Sequence, residues 1–144
     1  VKKEVIWNLE EGYKLTAQTL AEAERARGKL FERVQKFFKH YDLFITPATA
    51  VPPFDINIRY IEKVGDHKFS NYYDWYTIAY AITITSLPAL SLPCGFTKNG
   101  LPIGLQIVGP PRGEAALLRE ARKIEELFGI ASQLPINPQP IRDL

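Results

Sequence analysis

The stretch Ser86-Leu87-Pro88-Ala89-Leu90-Ser91-Leu92-Pro93-Cys94-Gly95-Phe96, resumed at Asn99-Gly100-Leu101-Pro102-Ile103-Gly104-Leu105-Gln106-Ile107-Val108-Gly109, carries the architecture of this chain. Ala89 to Phe96 and Ile103 to Val108 are apolar at nearly every position. That pattern belongs to strands covered on both faces rather than to an exposed meander. Asn99-Gly100 supplies the positive backbone angles that a two-residue hairpin turn requires, and Pro102 stiffens the way out. Two such strands leading into a helix predict an α/β layered fold, a mixed sheet covered by helices.

The helices follow from spacing on either side. Asn8 reads as an N-cap with Glu10 and Glu11 in the first turn, favourable at the positive end of the helix dipole. Thr16 reads as a second N-cap. Beyond it Leu20, Ala23, Arg27, Leu30, Phe31, Val34, Phe37 and Phe38 recur at helical spacing and predict one buried stripe. Arg27 within that stripe predicts a buried ion pair or a tie from helix to loop. Leu43 to Thr46 predicts a short buried strand stopped by Pro47. C-terminal to the hairpin, Pro110-Pro111-Arg112-Gly113 predicts a turn. Glu114 then opens a helix with Ala116, Leu117, Ala121, Ile124, Leu127 and Phe128 inward, closed by Gly129.

Residues 47 to 70 form a long excursion rich in proline and charge, with extended pairing expected near Phe54 to Ile61, and long ordered loops in compact domains are often functional. Asn71 to Thr83 is apolar and aromatic all round and predicts a buried helix. Residues 1–133 read as one α/β unit, and 134–144 as an extended, proline-rich tail.

Composition narrows the function classes. The 144 residues suffice for about one domain, and 46% hydrophobic with 24% charged residues is ordinary for a soluble globular chain. A formal charge of +2, with basic and acidic residues interleaved, argues against nucleic acid as a partner. No apolar run approaches a membrane span. The single cysteine, Cys94, excludes an internal disulfide and gives no sign of an oxidising compartment, so a cytoplasmic setting is expected. His40 and His67 lack acid or cysteine companions at ligand spacing, so neither a metal nor a cofactor is expected. Cys94 reads as a packed residue rather than a nucleophile. Gln106, inside an apolar strand, needs hydrogen-bond partners and reads as a bridge to neighbouring loops.

Four segments in series resemble the C-terminal part of the amidase signature family. They are Leu20, Ala23 and Arg27 on one helix; Tyr41-Asp42-Leu43-Phe44-Ile45-Thr46-Pro47-Ala48-Thr49; Leu87-Pro88-Ala89 with Ser91-Leu92-Pro93-Cys94-Gly95-Phe96; and Gly100-Leu101-Pro102-Ile103-Gly104-Leu105-Gln106-Ile107-Val108-Gly109. The resemblance implies the C-terminal portion of an α/β/α layered fold and a parent enzyme that hydrolyses carboxylic amides through a Ser–cis-Ser–Lys acyl-enzyme mechanism. The family's serines lie in or near a Gly-Gly-Ser-Ser-Gly-Gly segment. Here the serines stand at 70, 86, 91 and 132, never adjacent, and no Gly-Gly pair occurs. No catalytic residue is therefore expected in this chain, and a start at Val1 with no methionine anywhere points to a fragment of a longer enzyme.

The resemblance also implies that the helix before Leu87-Pro88-Ala89 lines the acyl side of a substrate cavity. A helix there places Asp74, Thr77, Ile78 and Ala81 on one face, with Trp75 beside them. These five are the expected substrate-binding residues; the competing reading has the aromatics filling the core. The family often spells the following turn Asn-Leu-Thr-Gly-Leu-Pro, whereas here it reads Thr83-Ile84-Thr85-Ser86-Leu87-Pro88. Those departures weaken a second reading, as part of the tRNA-dependent member of the family, the A subunit of a glutamyl-tRNA(Gln) amidotransferase. The expected partners are the N-terminal remainder of the same protein, a small-molecule amide substrate and, through a bared sheet edge and apolar patch, a second copy of the chain. A self-associating domain without enzymatic activity is the third reading.

Overall fold

The computed structural model describes residues 1–133, and the expected tail at 134–144 lies outside the described residues. The chain opens with α1 (Lys3–Tyr13) and α2 (Ala17–Phe37). Thr16 caps α2 as expected, its hydroxyl accepting the Thr19 N–H at 3.1 Å. Asn8 does not cap α1: that helix begins at Lys3, without a side-chain cap, and places Asn8 in mid-helix. The stripe on α2 is half-buried only from Leu30 to Phe38, while Leu20 and Ala23 stand exposed. Arg27 is exposed too and pairs locally with Glu24 at 2.7 Å, one turn away, rather than making a buried tie.

Three strands form the main sheet in the order β1 (Phe44–Pro47), β5 (Pro102–Val108), β4 (Ala89–Phe96). The hairpin has the expected strands with a different turn. Gly100 N–H bonds the Thr97 carbonyl at 2.9 Å and Thr97 N–H bonds the Leu101 carbonyl at 2.8 Å, so the loop is Lys98-Asn99-Gly100. Only Gly100 takes a positive φ, of 79°, as in three-residue hairpin loops with a left-handed glycine. Both ladders of this sheet are antiparallel, so the mixed character expected of it is not present among the described strands. The hairpin itself imposes this on β4 and β5, and β1 joins the far edge of β5 in the same sense. A bulge between Pro93 and Gly95 leaves Cys94 out of register, its thiol 3.6 Å from the Ile103 carbonyl.

Antiparallel register sorts the side chains onto two faces. Leu90, Leu92, Leu105 and Ile107 share one face and meet α4 (Glu114–Phe128), where Leu117 and Ala121 are buried and Ile124 and Phe128 pack alongside. Leu127, expected inward, is 82% exposed. At 100° per residue it lies about 80° round the helix from the stripe through Leu117, Ala121, Ile124 and Phe128. Gly129, φ 63°, terminates α4 in the left-handed region as expected.

The opposite face carries Phe44, Thr46, Ala89, Ser91, Gly104, Gln106 and Val108. It is covered by the C-terminal end of α2, where Phe37 meets Phe44 edge-on at 5.8 Å, and by residues 74–86. The single helix expected over Asn71–Thr83 is instead three short pieces: a 3-10 turn at Asp74–Tyr76, α3 at Thr77–Tyr80 and a second 3-10 turn at Ala81–Thr85. Consecutive β-branched residues, Ile82, Thr83, Ile84 and Thr85, favour the tighter winding over a continued α-helix. The 47–70 excursion pairs only at β2 (Lys63–Val64) with β3 (His67–Lys68), not near Phe54 to Ile61 as expected. Pro52, Pro53 and Asp55 hold that earlier part in turns, Asp55 accepting from the Asn57 backbone and side-chain amides.

Candidate functional site

The face of the hairpin turned away from α4 is a groove with two hollows along it. One, about 270 Å³, lies between the Ala48–Phe54 loop and the strands, lined among others by Phe54, Trp75, Ser91 and Gly104. The second, about 440 Å³, lies under the 79–87 segment, lined by Ala79, Ile82, Thr83, Ser86, Leu87, Ala89 and Gln106. Ser91 and Gln106 are direct cross-strand partners, so the two hollows adjoin on one sheet face. No charged side chain lines either of them.

Backbone details shape the floor. A Cβ on Gly104 would lie 3.2 Å from Ser91 Oγ and 3.5 Å from Ala48 Cβ, so a side chain there would crowd the floor of the first hollow. Gln106 is held from both sides: Nε2 donates to the Ala79 carbonyl at 3.1 Å, and Oε1 accepts from Thr46 Oγ1 at 3.4 Å. The bridge expected of Gln106 is thus present, tying two strands to α3. Thr85, the buried polar residue of the 3-10 turn, donates to the Ile82 carbonyl at 2.5 Å.

The five expected wall residues are placed unevenly. Trp75 lines the first hollow, with Phe54 edge-on at 5.7 Å and Tyr76 edge-on at 5.8 Å. Its indole N–H is buried and has no hydrogen-bond partner among the described residues. Asp74 accepts the Ser70 N–H at 3.1 Å, which closes the turn at the end of the excursion. Thr77 donates to the Asp74 carbonyl at 2.8 Å. Ile78 and Ala81 are half-buried, but their neighbours Ala79 and Ile82 line the second hollow. The break into three short helices removes the common face that a single helix would have given Asp74, Thr77, Ile78 and Ala81.

Sequence reasoning missed the strand side of the groove, Ser91 and Gly104, and the Phe54 edge. The available signal was the alternation Ala89, Ser91 against Leu90, Leu92, which separates a small, polar face from an aliphatic one. An aromatic array continues from the groove: Tyr72, Tyr73, Tyr76 and Tyr80 meet one another at 5.3 to 6.1 Å, and Trp7 of α1 stacks on Tyr73 at 5.9 Å. Burial among these rings, with the neighbouring tyrosines adding to it, raises the Tyr76 phenol above its ordinary value of 10.0. Among the described residues, no three His, Cys, Asp or Glu side chains converge as metal ligands, and no serine hydroxyl is hydrogen-bonded to a lysine or histidine.

A hairpin sheet covered by α4 on one face, and grooved beneath a broken helix on the other, defines an α/β protein. The family model for amidases matches residues 1–118, and the chain belongs to that family. It is 41% identical over 101 residues to the A subunit of the glutamyl-tRNA(Gln) amidotransferase of Alkaliphilus metalliredigens, covering 70% of this chain and 19% of that protein. It is 31% identical over 128 residues to the fatty acid amide hydrolase of Medicago truncatula, covering 84% of this chain and 20% of that protein. A solved structure described as an amidase superposes with a TM-score of 0.77 at 21% identity, over 88% of this chain and 29% of that one; this likeness bears on the fold alone. The chain thus spans about a fifth of the length of the curated relatives it matches. Among the described residues, no helix is long and apolar enough to cross a membrane.

Proposed function

We propose that this chain supplies the hairpin sheet and one wall of the acyl pocket of an amide C–N hydrolase, acting with family elements outside its 144 residues. The observation that carries the reading is the uncharged groove on the face opposite α4, in a chain matched by the amidase family over residues 1–118. Trp75 and Phe54 suit a flat or branched acyl group, and Asp74 and Thr77 hold the wall's backbone turns. Ile78 and Ala81 complete its packed side. The groove's hydroxyls have no base beside them, so the role is to bind and orient the amide while the attacking hydroxyl comes from elsewhere. The setting we assign is cytoplasmic.

The test is an assay of the purified chain against benzamide and short aliphatic amides. The expected result is no hydrolysis above background, with activity appearing when the chain is joined to an amidase segment carrying the Gly-Gly-Ser-Ser-Gly-Gly motif. Turnover by the chain alone that disappears in Ser86→Ala or Cys94→Ala would overturn the reading.

A second reading, as part of a tRNA-dependent amidotransferase, is favoured by the 41% identity to the Alkaliphilus protein. It predicts that the joined enzyme releases ammonia usefully only in the presence of further subunits. For self-association, the open edges of β1 and β4 and exposed Val5, Ile6 and Leu9 on α1 offer surfaces to the amidase remainder or to a second copy. Light scattering distinguishes these, a monomer counting against the second copy.

A further inference from the structure

Ser86 occupies a backbone position that its side chain disfavours. It caps the 81–85 turn with φ 55° and ψ 28°, in the left-handed region where helix C-termini ordinarily place glycine or asparagine. Its N–H bonds the Thr83 carbonyl at 3.2 Å, so residues 83 and 86 are the two ends of one tight turn. In 3-10 winding, residues three apart lie nearly over one another. Both line the second hollow of the groove, and neither hydroxyl makes a side-chain hydrogen bond among the described residues. Two unengaged hydroxyls therefore sit over a hollow whose other polar group, Gln106, already bonds Thr46 and Ala79. Packing does not explain the serine: it is exposed, and glycine would adopt the same backbone without strain.

We propose that Thr83 and Ser86 form a polar, specificity-determining end of the groove, selecting amides whose acyl part carries a second uncharged hydrogen-bonding group. This rests on the reading of the groove as an acyl-pocket wall and adds its substrate class. The spacing fits a short ligand: the first hollow touches Ser91 and the second Ala89, two residues or about 7 Å apart along β4. With no charged side chain in either hollow, a zwitterionic amide leaves its charges unpaired there, whereas a neutral dicarbonyl compound meets hydroxyl donors at one end and apolar walls at the other.

The experiment uses the ¹⁵N-labelled chain joined to the amidase segment carrying the Gly-Gly-Ser-Ser-Gly-Gly motif, its Ser-Ser pair changed to Ala-Ala so that nothing is turned over. This protein is titrated with malonamide, its near-isostere 3-methylbutanamide, and glutamine as the zwitterionic amide. Both neutral amides are expected to shift the signals of Trp75, Ser91 and Gln106. Malonamide alone should also move Thr83 and Ser86 and should bind about tenfold more tightly than 3-methylbutanamide, with glutamine weakest. Ser86→Gly relieves the backbone while deleting the hydroxyl, and Thr83→Val is isosteric; each should erase most of the preference for malonamide over 3-methylbutanamide. A preference that survives both substitutions, or glutamine binding as tightly as malonamide, overturns the proposal. If neither neutral amide perturbs Trp75, Ser91 or Gln106, the acyl-pocket reading falls first and this one with it. If 3-methylbutanamide perturbs them and malonamide ignores Thr83 and Ser86, only the specificity proposal fails.

Discussion

The two ends of the chain treat apolar surface in opposite ways. Around α4, Leu117 is 3% exposed and Ile107 and Leu92 are buried beside it, a closed interface between one helix and one hairpin. In α1 and the first half of α2, by contrast, no residue is buried, and Leu9 and Leu20 are 57% and 54% exposed although both helices are amphipathic. The hairpin and α4 are adjacent in sequence and fold onto each other. The N-terminal helices present an apolar stripe with nothing among the described residues to receive most of it. One region is a core; the other leaves its apolar surface open among the described residues.

The most direct way to break that contrast is to cut a side chain on each side. Ile107→Ala or Leu117→Ala should destabilise the chain by about 2–5 kcal/mol, seen as a lower midpoint in urea denaturation. Leu20→Ala should change it by no more than about 0.5 kcal/mol. Equal effects would mean that α2 is packed more tightly than its exposure indicates. A smaller loss is expected from Gly113→Ala at the start of α4. A Cβ there would lie 2.8 Å from the Pro110 carbonyl oxygen, a backbone atom that cannot swing aside, and about 1–3 kcal/mol should follow, read by the same denaturation.

Ser86→Gly should act in the opposite direction. Removing the left-handed strain should stabilise the chain by up to about 1 kcal/mol, net of the greater freedom of glycine when unfolded. The gain would sharpen the comparison by showing a site where stability has been given up.

The weakest effects are electrostatic. Hydrogen bonding to Arg27 lowers the Glu24 carboxyl below its ordinary value, so its contribution is present above pH 4.5 and fades as pH falls through the lowered value. Because the pair is fully exposed, about 0.5 M salt should abolish most of that acid dependence. Tyr76 gives the alkaline counterpart. Its raised pKa leaves stability level below pH 10.0, where the phenol is protonated in both states. Above that pH the unfolded chain loses the proton first, and stability should fall as pH rises. A thermal-melt series across the alkaline range reads it, with Tyr76→Phe as the variant in which the fall is reduced.

Legibility follows the range of the interaction. Thr16 capping α2, Gly129 closing α4 and the two hairpin strands depend on residues a few positions apart, and each is readable from sequence. The hairpin turn reads one residue too short because Asn99-Gly100 suits two loop lengths, and only the Thr97 bonds to Gly100 and Leu101 choose between them. Period alone puts Arg27 in a buried stripe, but periodicity identifies a face without saying whether anything covers it. Of the wall residues, Trp75 is readable as a large aromatic ahead of Leu87-Pro88-Ala89. The strand half of the groove is not, since Ser91 and Gly104 reach it only through the cross-strand register.

By itself the sequence determined the amidase family, the α/β class and the order of the long helices and of the three main-sheet strands, because hydrophobic period, caps and turn residues act locally and survive without knowledge of the partner. Tertiary structure alone decided that residues 74–86 break into three short helices, that Gln106 bridges Thr46 and Ala79, and that two uncharged hollows join on one sheet face. Those features join segments up to 60 residues apart, and which groups meet across such a distance is set by strand register and packing rather than by any local preference.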